Sequence, residues 1–193
     1  IKVASISAAR IQVYFIDNED YFRRKQISFD ADGKFFEDNG QRAIFFARGV
    51  LETVKKLRWA PDVIHCQGWI SNLIPLYLKK AYNGDPIFSG SKIVTSLYGE
   101  IDKEAFFPSF KDNIIFGGIK PADVSLLENP TGINLAKTAA LYSDGIIFGD
   151  KNVDPELVKF CQQENIPNLP FNEEAMANGH YIEEYDGFYQ QLQ

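Results

Sequence analysis

A chain of 193 residues, 45% hydrophobic, 24% charged and 14% aromatic, holds the material for one ordinary domain, and neither a second full-sized domain nor global disorder fits that balance. Lysine and arginine number 20 against 26 acidic residues, a net charge of −6, so no overall positive field gathers nucleic-acid phosphates or anionic lipid. No apolar run reaches the length of a membrane span, Cys66 and Cys161 make no disulfide framework, and His65 and His180 stand outside any zinc spacing; no metal or cofactor is assigned, and a reducing, cytoplasmic setting is expected.

Gln12-Val13-Tyr14-Phe15-Ile16, β-branched and aromatic, stops at the polar cluster Asp17-Asn18-Glu19-Asp20 and reads as a strand. Behind a capping box of Asp38 and Gln41, apolar residues recur at helical spacing at Ile44, Phe45, Ala47, Leu51, Val54 and Leu57. Glu52 and Lys56 stand as an i,i+4 pair on the solvated face of that helix. Pro61 ends the region, and Asp62-Val63-Ile64-His65-Cys66 follows as a second strand, expected to be central. Ser71 to Tyr82 reads as a helix, with Pro75 near its start and Lys79-Lys80 in its last turns. Lys92 to Leu97 is a third, buried strand after a Gly/Pro/Ser-rich loop.

Tyr98 to Gly132 mixes Phe106, Phe107, Phe110 and Phe116 with glycines and prolines and yields no ordered reading. Beyond it, Leu135 to Tyr142 reads as a helix and Gly145 to Gly149 as a fully buried strand. Asp154-Pro155-Glu156 opens another helix with an aspartate N-cap and proline at its first position, and a last helix runs from about His180 to Gln191. This alternation calls for an α/β fold: a doubly wound, mainly parallel sheet covered by helices.

In such a sheet the ligand crevice lies beyond the carboxyl ends of the strands. Those ends carry Asp17-Asn18, His65-Cys66-Gln67-Gly68-Trp69, Ser96-Leu97-Tyr98-Gly99-Glu100 and Gly149-Asp150. The second is the best candidate, because its glycine lets backbone approach a ligand and its tryptophan offers a flat face on which sugars stack. A plainer reading competes and is favoured on physics alone: a tryptophan opening a helix usually packs into the core, and a lone strand-end histidine is more often hydrogen-bonded structure than catalyst. The same choice, sugar platform or core, applies to Trp69 with Phe106 to Phe116, and core is again favoured. Gly-x-Gly-x-x-Gly, Walker, Gly-x-Ser-x-Gly and His-Glu-x-x-His patterns are all missing, so the chemistries they mark lose support.

Several ordered motifs carry a family resemblance. Val13-Tyr14-Phe15-Ile16-Asp17-Asn18 with Tyr21-Phe22, then Asp38-Asn39-x-x-Arg42 with Phe45-Phe46, then Trp59-x-Pro61-Asp62-Val63-Ile64-His65-x-x-x-Trp69 with Pro75-Leu76-Tyr77-Leu78-Lys79, resemble the N-terminal half of bacterial glycogen (starch) synthases. The resemblance implies a Rossmann-like first domain of a two-domain GT-B glycosyltransferase, over residues 1–193 as a single domain with the C-terminal domain absent. It also implies a substrate pair, ADP-glucose and an α-1,4-glucan, and a reaction, retaining transfer of glucose to the non-reducing end. On the same ground Asp38, Asn39 and Arg42 are expected near the sugar-donor cleft, with His65, Gln67 and Trp69 as further substrate-binding residues. The family's His-x-His-Asp-Trp stands here as His65-Cys66-Gln67-Gly68-Trp69, and Gln67 cannot carry the charge of the imidazole it replaces. The family's Lys-x-Gly-Gly-Leu donor loop and its C-terminal cations are not in this sequence. Turnover is therefore expected to need a homo-oligomer or a separate C-terminal partner, with a noncatalytic glucan-binding or regulatory role as the alternative.

Overall fold

The structure, a computed structural model, describes residues 1–99 and 104–193; Glu100, placed at a strand end from sequence, lies outside the described residues. The strand read at 12–16 forms at Ile11–Phe15 and, as β2, pairs antiparallel with Lys2–Ile6 (β1) in a two-stranded ladder of its own. This corrects its expected place in the parallel sheet. Asp17 and Asn18 consequently end a hairpin strand, and the Asn18 side chain caps Glu19–Phe22 (α1) by accepting from the amides of Asp20 and Tyr21.

Asn39–Leu57 forms the long helix α2, burying Ala43, Ala47 and Leu51. The expected capping box does not form: the Asp38 side chain makes no cap bond and is taken by the guanidinium of Arg24. A charge-assisted, two-pronged bond outcompetes a neutral amide for the same carboxylate. Glu52 likewise turns from its expected partner, accepting the Tyr82 hydroxyl at 2.7 Å with Lys55 at 4.0 Å.

Val63–Gln67 (β3) leads through a tight turn at Trp69–Ser71 into Ile74–Lys80 (α3), and Lys92–Leu97 forms β4. The segment without a sequence reading contains Phe110–Ile114 (α4) and a 3-10 stretch at Pro121–Glu128. Gly132–Leu141 (α5) is capped by Thr131, Gly145–Phe148 is β5, and Pro155–Gln163 (α6) is capped by Asp154 as its sequence requires. Asn168–Leu169 (β6), Glu173–Asn178 (α7) and Tyr181–Leu192 (α8) complete the order.

The main sheet is four-stranded and parallel, ordered β3-β4-β5-β6, with Val63 opposite Lys92, Leu97 opposite Phe148 and Ile147 opposite Leu169. The strand containing His65, expected to be central, is therefore an edge strand among the described residues. Side chains alternate between faces. Ile64, Cys66, Ile93, Leu97 and Ile146 pack beneath α2, α3, α5 and α6, while Val63, Val94, Ile147 and Leu169 pack against Tyr185, Phe188, Tyr189 and Leu192 of α8. Helices thus cover both faces, as an α/β parallel sheet demands. Both cysteines are free and buried, and none of the described helices is long and apolar enough to cross a membrane.

The second face depends on one glycine. A Cβ on Gly145 would meet Leu192 at 2.7 Å and Phe188 at 2.8 Å, so α8 seats directly on the backbone of β5. Gly145→Val is expected to lower unfolding stability by roughly 1–3 kcal/mol through overpacking, read from the midpoint of urea denaturation.

Candidate functional site

Two clusters form where β3 ends and α2 begins. In the first, the Asp38 carboxylate accepts both prongs of Arg24, at 3.0 and 2.7 Å. Asn39, with no exposed surface, donates from Nδ2 to the Ser28 carbonyl at 2.9 Å and accepts from Arg42 Nη1 at 2.5 Å. The same Arg42 nitrogen donates to the Ile27 carbonyl at 2.5 Å. These bonds pin the irregular 23–38 segment onto the helix start.

Arg42 is only 4% exposed, and its guanidinium lies 5.5 Å from the Phe22 ring, 5.7 Å from Phe36 and 6.0 Å from Trp69. An aromatic cage suits a cation whose hydration has been stripped. Burial, and then the nearby Arg24 charge, pull its pKa below the usual arginine value, with Asp38 acting in the opposite direction. Its Nε is buried without a hydrogen-bond partner among the described residues.

The second cluster lies on the opposite face of β3. His65 Nε2 sits 2.7 Å from Ser96 Oγ on β4, and its Nδ1 sits 2.8 Å from the Tyr189 hydroxyl on α8. With the phenol donating to Nδ1, the neutral imidazole keeps its proton on Nε2 and donates it to Ser96. Gln67 Nε2 lies 3.4 Å from the same Nδ1, and its Oε1 accepts the Tyr98 hydroxyl at 3.2 Å. The Tyr185 ring stands edge-on to the imidazole at 6.0 Å. Phenols and amides surround His65, so burial without a compensating carboxylate pushes its pKa down to about 4.

Trp69 belongs to the first cluster, half-buried between the Arg42 guanidinium and the Phe106 ring, 6.2 Å away. Phe106 stacks on the fully buried Phe110 at 4.6 Å, and Phe116 packs on Tyr77 at 5.0 Å. These phenylalanines are core. The structure therefore brings Asp38, Asn39, Arg42 and Trp69 together on one side of the β3 end and His65 with Gln67 on the other. The residues that the sequence reading missed are Arg24, Tyr185 and Tyr189, each a partner supplied from a distant loop or helix with no local pattern to mark it. No group of three or more His, Cys, Asp or Glu gathers among the described residues in a way that would hold a metal ion.

Gly68 joins the two sides with φ 76° and ψ 152°, a backbone state that residues with a Cβ adopt only under strain, although nothing stands within 4 Å of the place a Cβ would occupy. Gly68→Asp is expected to cost about 1–3 kcal/mol of stability, measured by urea denaturation, from backbone conformation alone. For His65, a pKa lowered from 6.5 to about 4 means that the unfolded chain binds the proton more readily. Stability is then complete above 6.5 and declines as pH falls towards 4. Melting temperatures recorded across that interval should fall in the parent and fall less steeply in His65→Gln.

Comparison with known proteins places this geometry. Residues 1–167 match the starch synthase catalytic domain. The glycogen synthase of Chlorobium limicola is 35% identical over 147 residues, covering 75% of this chain and 29% of that protein. That of Clostridium perfringens is 32% identical over 157 residues, covering 81% and 31%. The solved catalytic domain of starch synthase IV from Arabidopsis thaliana, bound to ADP and acarbose, superposes with a TM-score of 0.55 at 14% identity over 72% of this chain and 31% of that one, a likeness of fold. The chain spans less than a third of the length of each of these relatives. With a parallel Rossmann-like sheet and a sequence match running from its first residue to the edge of β6, this chain belongs to the starch synthase catalytic domain family.

Proposed function

We propose that this chain is a sugar-binding part of a glycogen- or starch-synthase-type glucosyltransferase, whose family reaction moves glucose from ADP-glucose to the non-reducing end of an α-1,4-glucan. Of its substrate-binding residues, Asp38, His65, Gln67 and Trp69 face the side of the cleft that it contributes, and the buried Asn39 and Arg42 hold that side in place from beneath. The observation that carries this reading is the half-exposed ring of Trp69 at the end of β3, backed by the buried guanidinium of Arg42 6.0 Å away. An aromatic face held in place at a strand end is a surface on which a pyranose ring can stack. Names of relatives agree in kind: glycogen synthases, and a starch synthase bound to ADP and acarbose.

Transfer also needs positive charge held ready for a departing diphosphate. Among the described residues near the strand ends, Arg24 is committed to Asp38, Arg42 Nη1 to Asn39 and the Ile27 carbonyl, and Lys151 to Glu173. On this reading turnover draws on cations beyond these: a partner chain, a second copy or a further segment. A noncatalytic glucan-binding role is the second reading, favoured by an imidazole whose two nitrogens are both occupied. The cytoplasm, where free thiols persist, is the compartment that either reading implies.

Purified chain, shown to be folded by circular dichroism, is expected to transfer no glucose from ADP-glucose to glycogen above a heat-killed control. It is expected to bind maltoheptaose, with Trp69→Ala weakening binding about tenfold. Transfer by the chain alone would refute the dependence on added cations, and a folded chain indifferent to maltoheptaose would refute the sugar site.

A further inference from the structure

Helix α8 carries two different faces. Phe188, 5% exposed, packs with Leu192 against Val94 and Ile147, and both side chains close over Gly145. These residues anchor the helix. Tyr181, Tyr185 and Tyr189 recur at four-residue spacing and so form a stripe along the edge of that face, Tyr185 and Tyr189 packing in part on the same cluster, with the first two rings 5.5 Å apart. All three are half-buried, and the stripe runs past His65 and the Tyr98–Gln67 pair at the strand ends. Residues 181–192 lie beyond the 1–167 stretch that matches the family, so nothing carried over from relatives assigns these tyrosines a role.

Half-buried phenol rings pair an apolar face with a hydroxyl that can exchange hydrogen bonds, which are the two features a pyranose ring engages. Tyr189 already makes at His65 Nδ1 the bond that a sugar hydroxyl would make, at 2.8 Å. With Ser96 on Nε2, no imidazole nitrogen is open to a ligand until one bond is given up. Ser96 is 3% exposed on β4, held within the sheet, whereas Tyr189 is half-buried at the margin of the Phe188 cluster, so turning its ring gives up part of that packing while Phe188 and Leu192 keep the helix in place.

We propose that the tyrosine stripe of α8 is the sugar-facing wall of this site, and that the Tyr189 hydroxyl occupies His65 until a glucan hydroxyl takes its place. This rests on the sugar-binding reading above and adds to it a binding surface and a built-in competitor. The exchange is of one O–H donor for another at Nδ1, so no proton leaves the imidazole and no charge is created. Tyr189→Phe removes the competing hydroxyl and keeps the ring.

Two measurements on the full chain separate this from the reading beneath it. The first needs no sugar: diethyl pyrocarbonate modifies accessible imidazole nitrogens, and the exposed His180 serves as internal reference. His65 should react at least tenfold more slowly than His180 in the parent, and severalfold faster in Tyr189→Phe with His180 unchanged; equal rates at His65 in parent and variant would overturn the proposal whatever the sugar result. The second is calorimetric titration with maltoheptaose, in which Tyr189→Phe should bind roughly three- to tenfold more tightly, the worth of one displaced hydrogen bond. Binding of equal strength in both proteins overturns the competition and leaves the sugar site standing. Binding in neither overturns the sugar site, and the competition with it.

Discussion

Parallel strands have two faces to keep from water, and in this chain the two are covered by very different means. One face lies under α2, α3, α5 and α6 and accounts for most of the buried side chains. The other is closed by α8, through Phe188 and Leu192 set over a glycine of β5. Fully burying an aromatic side chain contributes about 1.5–3 kcal/mol, so the seat of α8 is a small number of contacts on which a whole sheet face relies. Because β3 stands at the edge, the helix that closes this face also comes to rest over His65. Fold and site share one constraint.

On the other side of the same strand the organising force is electrostatic. Arg24, Asp38, Asn39 and Arg42 join the irregular 23–38 segment to the first turn of α2, using carbonyls of Ile27 and Ser28 that would otherwise need water. Arg42's desolvation is offset in part by these acceptors and by the surrounding aromatic faces, while its buried Nε has no partner among the described residues. His65 is treated oppositely: it has no anion beside it and stays neutral. One strand end thus holds a fixed cation on one face and an uncharged donor–acceptor on the other.

Periodicity made much of this visible in the sequence. The runs at 63–67, 92–97 and 145–148 are short and bounded by turns, α2, α5, α6 and α8 keep a helical spacing, and α5 and α6 are capped at the start by Thr131 and Asp154. What sequence left hidden has a physical reason in each case. β1 is exposed along its length and gives no alternation to read, and β6 has only two residues. Asp38 has the right position for a cap, but its choice of Arg24 is decided by three-dimensional approach rather than by spacing. The residue types at the strand end were legible as candidates, whereas the partners that set their state, Arg24 and Tyr189, sit 14 and 124 positions away.

That last separation bears on the order in which the molecule forms. Pairing of β3 with β4 closes a loop of ordinary length, while the bond between His65 and Tyr189 must wait for almost the entire chain. During synthesis the N-terminal portion emerges first, so His65 and the second sheet face spend an interval uncovered before α8 arrives. Helix α8, which follows every strand of the sheet in the sequence, is then also the element that ends the exposure of a β-sheet surface, and slow translation between β6 and α8 would prolong the stage at which nascent chains can aggregate.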